Sequence, residues 1–137
     1  MTDPVFGEIT FSIDAWDGIF PFVFVPAGTR ALALHIWADE TGPSGSQRRT
    51  FAQLQERYVQ LWPAIVESLR DCHPQLQSTE QVEHNLNPMV GCYIQDVTTF
   101  EHNDFDLVYE FDLDDENGRG FFVRINGWRI IEAVVAE

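Results

Sequence analysis

"TFAQLQERYVQLWPAIVESLR", residues 50–70, decides the fold class. Within it Phe51, Leu54, Tyr58, Leu61, Trp62, Ile65 and Leu69 recur at three- and four-residue steps. That spacing draws one apolar stripe along a helix and leaves the polar residues on the opposite side. Thr50 and Gln53 match a capping box, in which each residue satisfies an orphan backbone amide. Pro63 removes one helical hydrogen bond and is expected to kink or split the helix. Pro74 ends it, so the main helix is expected over about 47–71.

Outward from this helix the pattern changes to strands. Val5 to Ile13 alternates, with Ile9, Phe11 and Ile13 on one face and Thr10 and Ser12 on the other. Trp16-Asp17-Gly18 reads as a turn. Ile19 to Val25 is apolar, with Pro21 marking an edge or a bulge. After a turn over Pro26 to Arg30, Ala31 to Ala38 places Leu32, Leu34 and Ile36 on one face. Thr41 to Ser46 has loop composition. Beyond the helix, Ser78 to Leu86 is expected as a short helix and Val90 to Thr99 as a strand. Phe105 to Leu113 alternates, and Phe121 to Ile125 and Trp128 to Val135 form a hairpin around Asn126-Gly127. The order β-β-β-α-(α)-β-β-β-β implies an α+β fold. We expect a single domain over 1–137, with one antiparallel sheet of about six strands and the helix packed on one face.

Register follows from matching faces. A loop of odd length after Leu113 pairs Phe111 with Ile125, Leu113 with Val123 and Asp112 with Arg124, so apolar meets apolar and acid meets base. A two-residue Asn126-Gly127 turn would then pair Val123 with Ile130 and set Arg129 opposite Arg124, with Asp112 relieving their repulsion.

Charge narrows the function. The chain has 22 acidic and 8 basic residues, a net charge of −14, and every basic residue is Arg. Nucleic acid and anionic membranes are disfavoured, because phosphate binding needs cations that displace counterions. A basic protein partner is favoured; adaptation of the host proteome to salt or base composition explains the same numbers. No apolar run is long enough to span a membrane. Met1-Thr2-Asp3-Pro4 shows no signal-peptide pattern, so a cytoplasmic location is expected, with Cys72 and Cys92 reduced.

The stretch from Tyr109 to Val123 concentrates acids at Asp112, Asp114, Asp115 and Glu116. A calcium loop starting at Asp112 would need Gly at its sixth position and Glu at its twelfth, where Asn117 and Val123 stand. His102, Asp104 and Asp106 share one face of an extended strand and resemble a transition-metal set; the solvent face of an amphipathic strand gives the same pattern. Cys72, His73, His84 and Cys92 follow no common zinc spacing. His35, between Leu34 and Ile36, reads as an ordinary core or surface histidine. No phosphate loop, nucleophile elbow or H-E-x-x-H is present, and no cofactor or metal is expected. Glu101 to Glu116 holds eight acids and no Lys or Arg. In the expected register Val108, Phe122 and Ile131 share the outer sheet face. An apolar centre with an acidic surround suits a basic partner.

Three stretches resemble a group of small bacterial domains of unknown function: "VFGEITFSIDAWDG", "LALHIWADETGPSGSQRRTFAQLQERYVQL" and "YEFDLDDENGRGFFVRINGWRIIEAV". Their pattern is W-x-G after a first strand, a strand, a short polar loop, Gln and an amphipathic helix, then an acidic strand, a D/E-E-x-G turn and a final meander. Trp16, Gly18, Gln47, Asp115, Glu116, Gly118 and Gly120 fit it. Glu116-Asn117-Gly118 replaces the usual E-H-G. Some members of that group are thought to be immunity proteins of toxin systems, so the resemblance implies a similar role.

The expected function is that of an acidic interaction domain, more in keeping with a binder than an enzyme. It would occlude a basic partner through Asp104, Asp106, Asp114, Asp115 and Glu116, with Phe122 as apolar anchor. The alternatives are a metal-dependent hydrolase built on His102, Asp104 and Asp106, and a salt-adapted structural domain.

Overall fold

The computed structural model describes residues 1–24, 28–72, 86–94, 105–111 and 120–136. β1 (Thr2–Asp3), β2 (Gly7–Ser12), β3 (Ala15–Phe24) and β4 (Gly28–Trp37) follow one another as antiparallel neighbours. α1 (Gly45–Cys72) then leads to β5 (Leu86–Ile94), which lies parallel to β4. β6 (Phe105–Phe111), β7 (Gly120–Asn126) and β8 (Arg129–Ala136) continue the sheet antiparallel.

The α+β class, with one helix packed on a sheet, is as the sequence implies. The sheet itself differs from expectation: among the described residues it has eight strands, not about six, and it is mixed. A helix between two adjacent strands returns the chain in its original direction, so β4 and β5 must pair parallel. β1 has only two residues, too few for alternation to reveal it. The short helix expected over 78–86 falls mainly outside the described residues, and Leu86 already belongs to β5. β5 starts before Val90, and residues 95–99 of the expected strand also lie outside the described residues.

α1 starts two residues earlier than 47, and a different residue caps it. Ser44 Oγ accepts from the Gln47 amide at 3.1 Å, while Gln47 Oε1 accepts from the Ser44 amide at 2.9 Å. This reciprocal pair is the capping box, in place of Thr50 and Gln53. Gln47 also donates through Nε2 to the Trp37 carbonyl at 2.7 Å, tying the helix start to the end of β4. The helix continues through Pro63 as one element. The carbonyl that Pro63 leaves unbonded belongs to Val59, which is exposed, so water can replace the lost amide.

The stripe read from the sequence is the buried face of α1. Phe51, Leu54, Tyr58, Leu61, Trp62, Ile65, Val66 and Leu69 all join the core. Phe51 meets Phe6, Phe20 and Phe22 at ring centroid distances of 5.2, 5.0 and 6.3 Å. Tyr58 and Tyr109 share a buried hydroxyl hydrogen bond at 2.8 Å. Each fully buried aromatic or aliphatic side chain contributes about 1.5–3 kcal/mol.

Gly18 explains the W-x-G pattern. A Cβ there would lie 2.7 Å from the Glu8 carbonyl oxygen and 2.9 Å from Ile9 Cγ2. Only glycine lets β2 approach β3 this closely. β2 pairs with β3 only over Ala15 to Gly18. Pro21 therefore lies on the part of β3 left free as an edge among the described residues.

Two expected registers are corrected. Arg124 faces Asp106, not Asp112, and Ile125 faces Phe105, not Phe111. The offset is six residues, an even number, so every side chain keeps its face while the connection lengthens. At the last hairpin Ile125 pairs with Ile130 and Asn126 with Arg129, so the turn is Gly127-Trp128. Both residues have positive φ, 58° and 62°. The left-handed conformation costs Trp128 energy. Packing holds it there: its ring lies 5.6 Å from Phe105, and the Arg57 guanidinium stands 4.8 Å from its centroid. A register shift between Arg124 and Ile125 then sets Glu132, not Arg129, opposite Arg124. Arginine repulsion is avoided because the later turn pairs Arg129 with Asn126, and the bulge then brings Glu132 rather than Ile131 opposite Arg124.

Candidate interaction face

With Leu32, Leu34 and Ile36 turned to α1, Ala33, His35 and Trp37 must point to the other face of β4. The registers extend that alternation across the sheet. Asp17, His35, Tyr93, Asp106, Arg124 and Glu132 lie side by side in one row. Ile19, Ala33, Gly91, Val108, Phe122 and Val134 form the next.

The first row is polar and paired. Asp17 Oδ1 lies 2.6 Å from His35 Nδ1, and Arg124 Nη1 lies 3.4 Å from Glu132 Oε2. Arg124 Nε is buried and has no hydrogen-bond partner among the described residues. Asp106 is only 8% exposed. Burial pushes its carboxyl up to about 6, with Glu132 adding to the rise and Arg124 opposing it.

Crossing both rows is a run of aromatic rings. His35 meets Trp37 at 4.6 Å and Tyr93 at 5.4 Å, edge to face. Tyr93 in turn stacks on Phe122 at 6.1 Å. Beside this run, Ala33 and Gly91 make a low floor between Ile19 and Val108. Ile19 and Val23, on the same face, are 72% and 64% exposed. Half-exposed Asp17 and Glu132 mark two sides of the apolar ground. Edge-to-face and offset-stacked ring pairs of this kind are favourable arrangements. The face offers apolar contact in the middle, with the half-exposed carboxylates of Asp17 and Glu132, each paired to a neighbour in the row, at the margin.

The residues singled out from the sequence are distributed unevenly over this face. Phe122 and Val108 are on it, directly opposite each other. Asp106 is on it too, but packed into the sheet next to Arg124. Ile131 is 57% exposed and stands at the β8 bulge. Asp104, Asp114, Asp115, Glu116 and His102 lie outside the described residues. Among the described residues no three His, Cys, Asp or Glu side chains gather as a metal site. Cys92 is a buried free thiol and Cys72 a half-buried one; His73 and His84 lie outside the described residues.

Asp17, Ile19, His35, Trp37 and Tyr93 had not been singled out as a group. Alternation in Ala31 to Ala38 was the available signal: His35 and Trp37 take the positions where an ordinary solvent face would carry charge. No helix among the described residues is long and apolar enough to cross a membrane. Comparison with protein-family models, curated proteins and solved structures finds no match.

Proposed function

We propose that this chain is an acidic protein-interaction domain that covers a basic surface of a partner, in the manner of an immunity-type protein. The observation that carries this reading is the aromatic run Trp37–His35–Tyr93–Phe122, flanked by exposed Ile19 and Val23 and bordered by carboxylates. Aromatic anchors supply most of the burial energy in protein interfaces. A net charge of −14 accelerates encounter with a cationic surface and disfavours acidic competitors. The resemblance to small bacterial domains, some of them thought to be immunity proteins, points the same way.

The test compares capture from native-host lysate by three baits: wild type, an Ile19→Ser/Phe122→Thr variant and a Val59→Ser control. Val59 is an exposed residue of α1, remote in role from the face. The reading expects one basic protein retained by wild type and control, released by salt, and lost with the face variant. Equal retention by all three baits would refute it.

A further inference from the structure

At the end of the aromatic run the sheet opens into a recess. Phe11, Ile13, Asp14, Trp37, Asp39 and Glu40 line a hollow of about 520 Å³ at the β2–β3 turn. That volume is in the range of small-ligand pockets. Two of its walls are aromatic: Trp37, the last ring of the run, and Phe11, which packs on Trp16 at 5.2 Å. The β2–β3 turn is held against the end of β4 by a hydrogen bond from the Ala38 amide to the Asp14 carbonyl at 3.3 Å.

The polar groups of the recess divide into used and unused. Asp39 Oδ1 accepts from the amide and hydroxyl of Thr41. The carboxylates of Asp14 and Glu40 have no hydrogen-bond or ion-pair partner among the described residues. Among the described residues no arginine lines the hollow. Ile13 is 93% exposed and held at φ 62°, with its turn closed from the Asp14 amide to the Ser12 carbonyl at 2.7 Å.

We propose that this recess takes an arginine side chain of the basic partner, an inference that deepens and rests on the docking reading above. A guanidinium is planar and weakly hydrated, so it stacks on aromatic faces where an ammonium would stay in water. Asp14 and Glu40 supply acceptors for its N–H groups. Ile13 offers aliphatic surface for the methylene stem. Carboxylates alone would attract any cation; the aromatic walls select the flat one.

The test needs no partner. ¹⁵N-labelled protein is titrated with Nα-acetyl-arginine methylamide and, separately, with the neutral citrulline analogue. The arginine compound is expected to give saturable shifts centred on residues 11–14 and 37–40. The citrulline compound should bind at least about tenfold more weakly, and Asp14→Asn/Glu40→Gln should weaken the arginine compound about tenfold, since two exposed charge contacts are lost. Trp37→Leu should weaken it several-fold with the charges intact. The result that overturns the proposal is shifts spread over the whole acidic surface, or binding indifferent to both variants. If this titration fails while partner capture still depends on Ile19 and Phe122, the recess alone is refuted. If it succeeds while that dependence is absent, the docking face falls and the recess stands.

Discussion

Asp106→Asn removes a carboxyl that the fold keeps at an unfavourable site. Asp106 is buried between Tyr93 and Arg124, and its carboxyl is raised from 3.8 to about 6. A folded-state value above the unfolded one means that folding favours the protonated form. The wild-type chain therefore has this stabilisation in full below pH 4 and loses it as pH rises toward 6. A rise of about two, at about 1.36 kcal/mol each, makes the loss about 3 kcal/mol. Arg124 and Glu132 already act on that value, so their fields need no separate addition. Asn is neutral throughout. The stability difference between variant and wild type should thus move in favour of the variant by about 3 kcal/mol between pH 4 and pH 7. Urea unfolding of both proteins at four pH values measures it, with unchanged m showing that the unfolded states are comparable. A difference that stays flat with pH, or moves in favour of wild type as pH rises, would refute the burial argument.

Three further outcomes follow from the same geometry. Ile13→Gly relieves a β-branched residue at φ 62° whose side chain is almost wholly exposed, so it should raise stability by about 0.5–1 kcal/mol in a denaturation experiment while weakening arginine binding at the recess. Gln47→Ala removes its side-chain bonds to the Ser44 amide and the Trp37 carbonyl and should cost about 1–3 kcal/mol by the same assay. Asp3 has a buried carboxylate; burial would raise it, but hydrogen bonds from Arg48 and the amides of Phe6 and Val5 hold it below its usual value. Its contribution is present at neutral pH and lost as pH falls through the carboxylate range. Arg48→Met should cost about 1–2 kcal/mol at pH 7, a discounted figure because Arg48 is partly exposed, and less at pH 2.

What the sequence made legible was local. The α1 stripe repeats every three or four residues, and a periodicity over 19 residues needs no knowledge of what it packs against. The β4 alternation was equally plain, and it assigns His35 and Trp37 to the face away from the helix. The partners of that face are non-local. Only the parallel pairing of β4 with β5 brings His35 beside Tyr93, and only the β6–β7 register brings Phe122 next to Val108. Asn126-Gly127 is a favoured turn by propensity, yet burial of Trp128 against Phe105 shifts the turn by one residue. Side-chain packing is worth more there than a turn preference. The capping box was misplaced for a related reason. Ser44-x-x-Gln47 and Thr50-x-x-Gln53 match the same pattern, and what separates them is the Trp37 carbonyl, which only the fold brings to Gln47. Asp106 looked like its acidic neighbours, because burial of one carboxylate in a run of acids leaves no mark in the sequence.

The central claim is that the open sheet face binds a basic partner, and the salt dependence of association with the captured protein tests it most directly. Association rates would be measured for wild type and for Ile19→Ser/Phe122→Thr across rising ionic strength. The account predicts a steep fall in the wild-type association rate with salt, as charge steering is screened. It also predicts that the variant keeps that slope but dissociates faster. A variant that binds with unchanged affinity would contradict the account, because the aromatic face would then lie outside the interface.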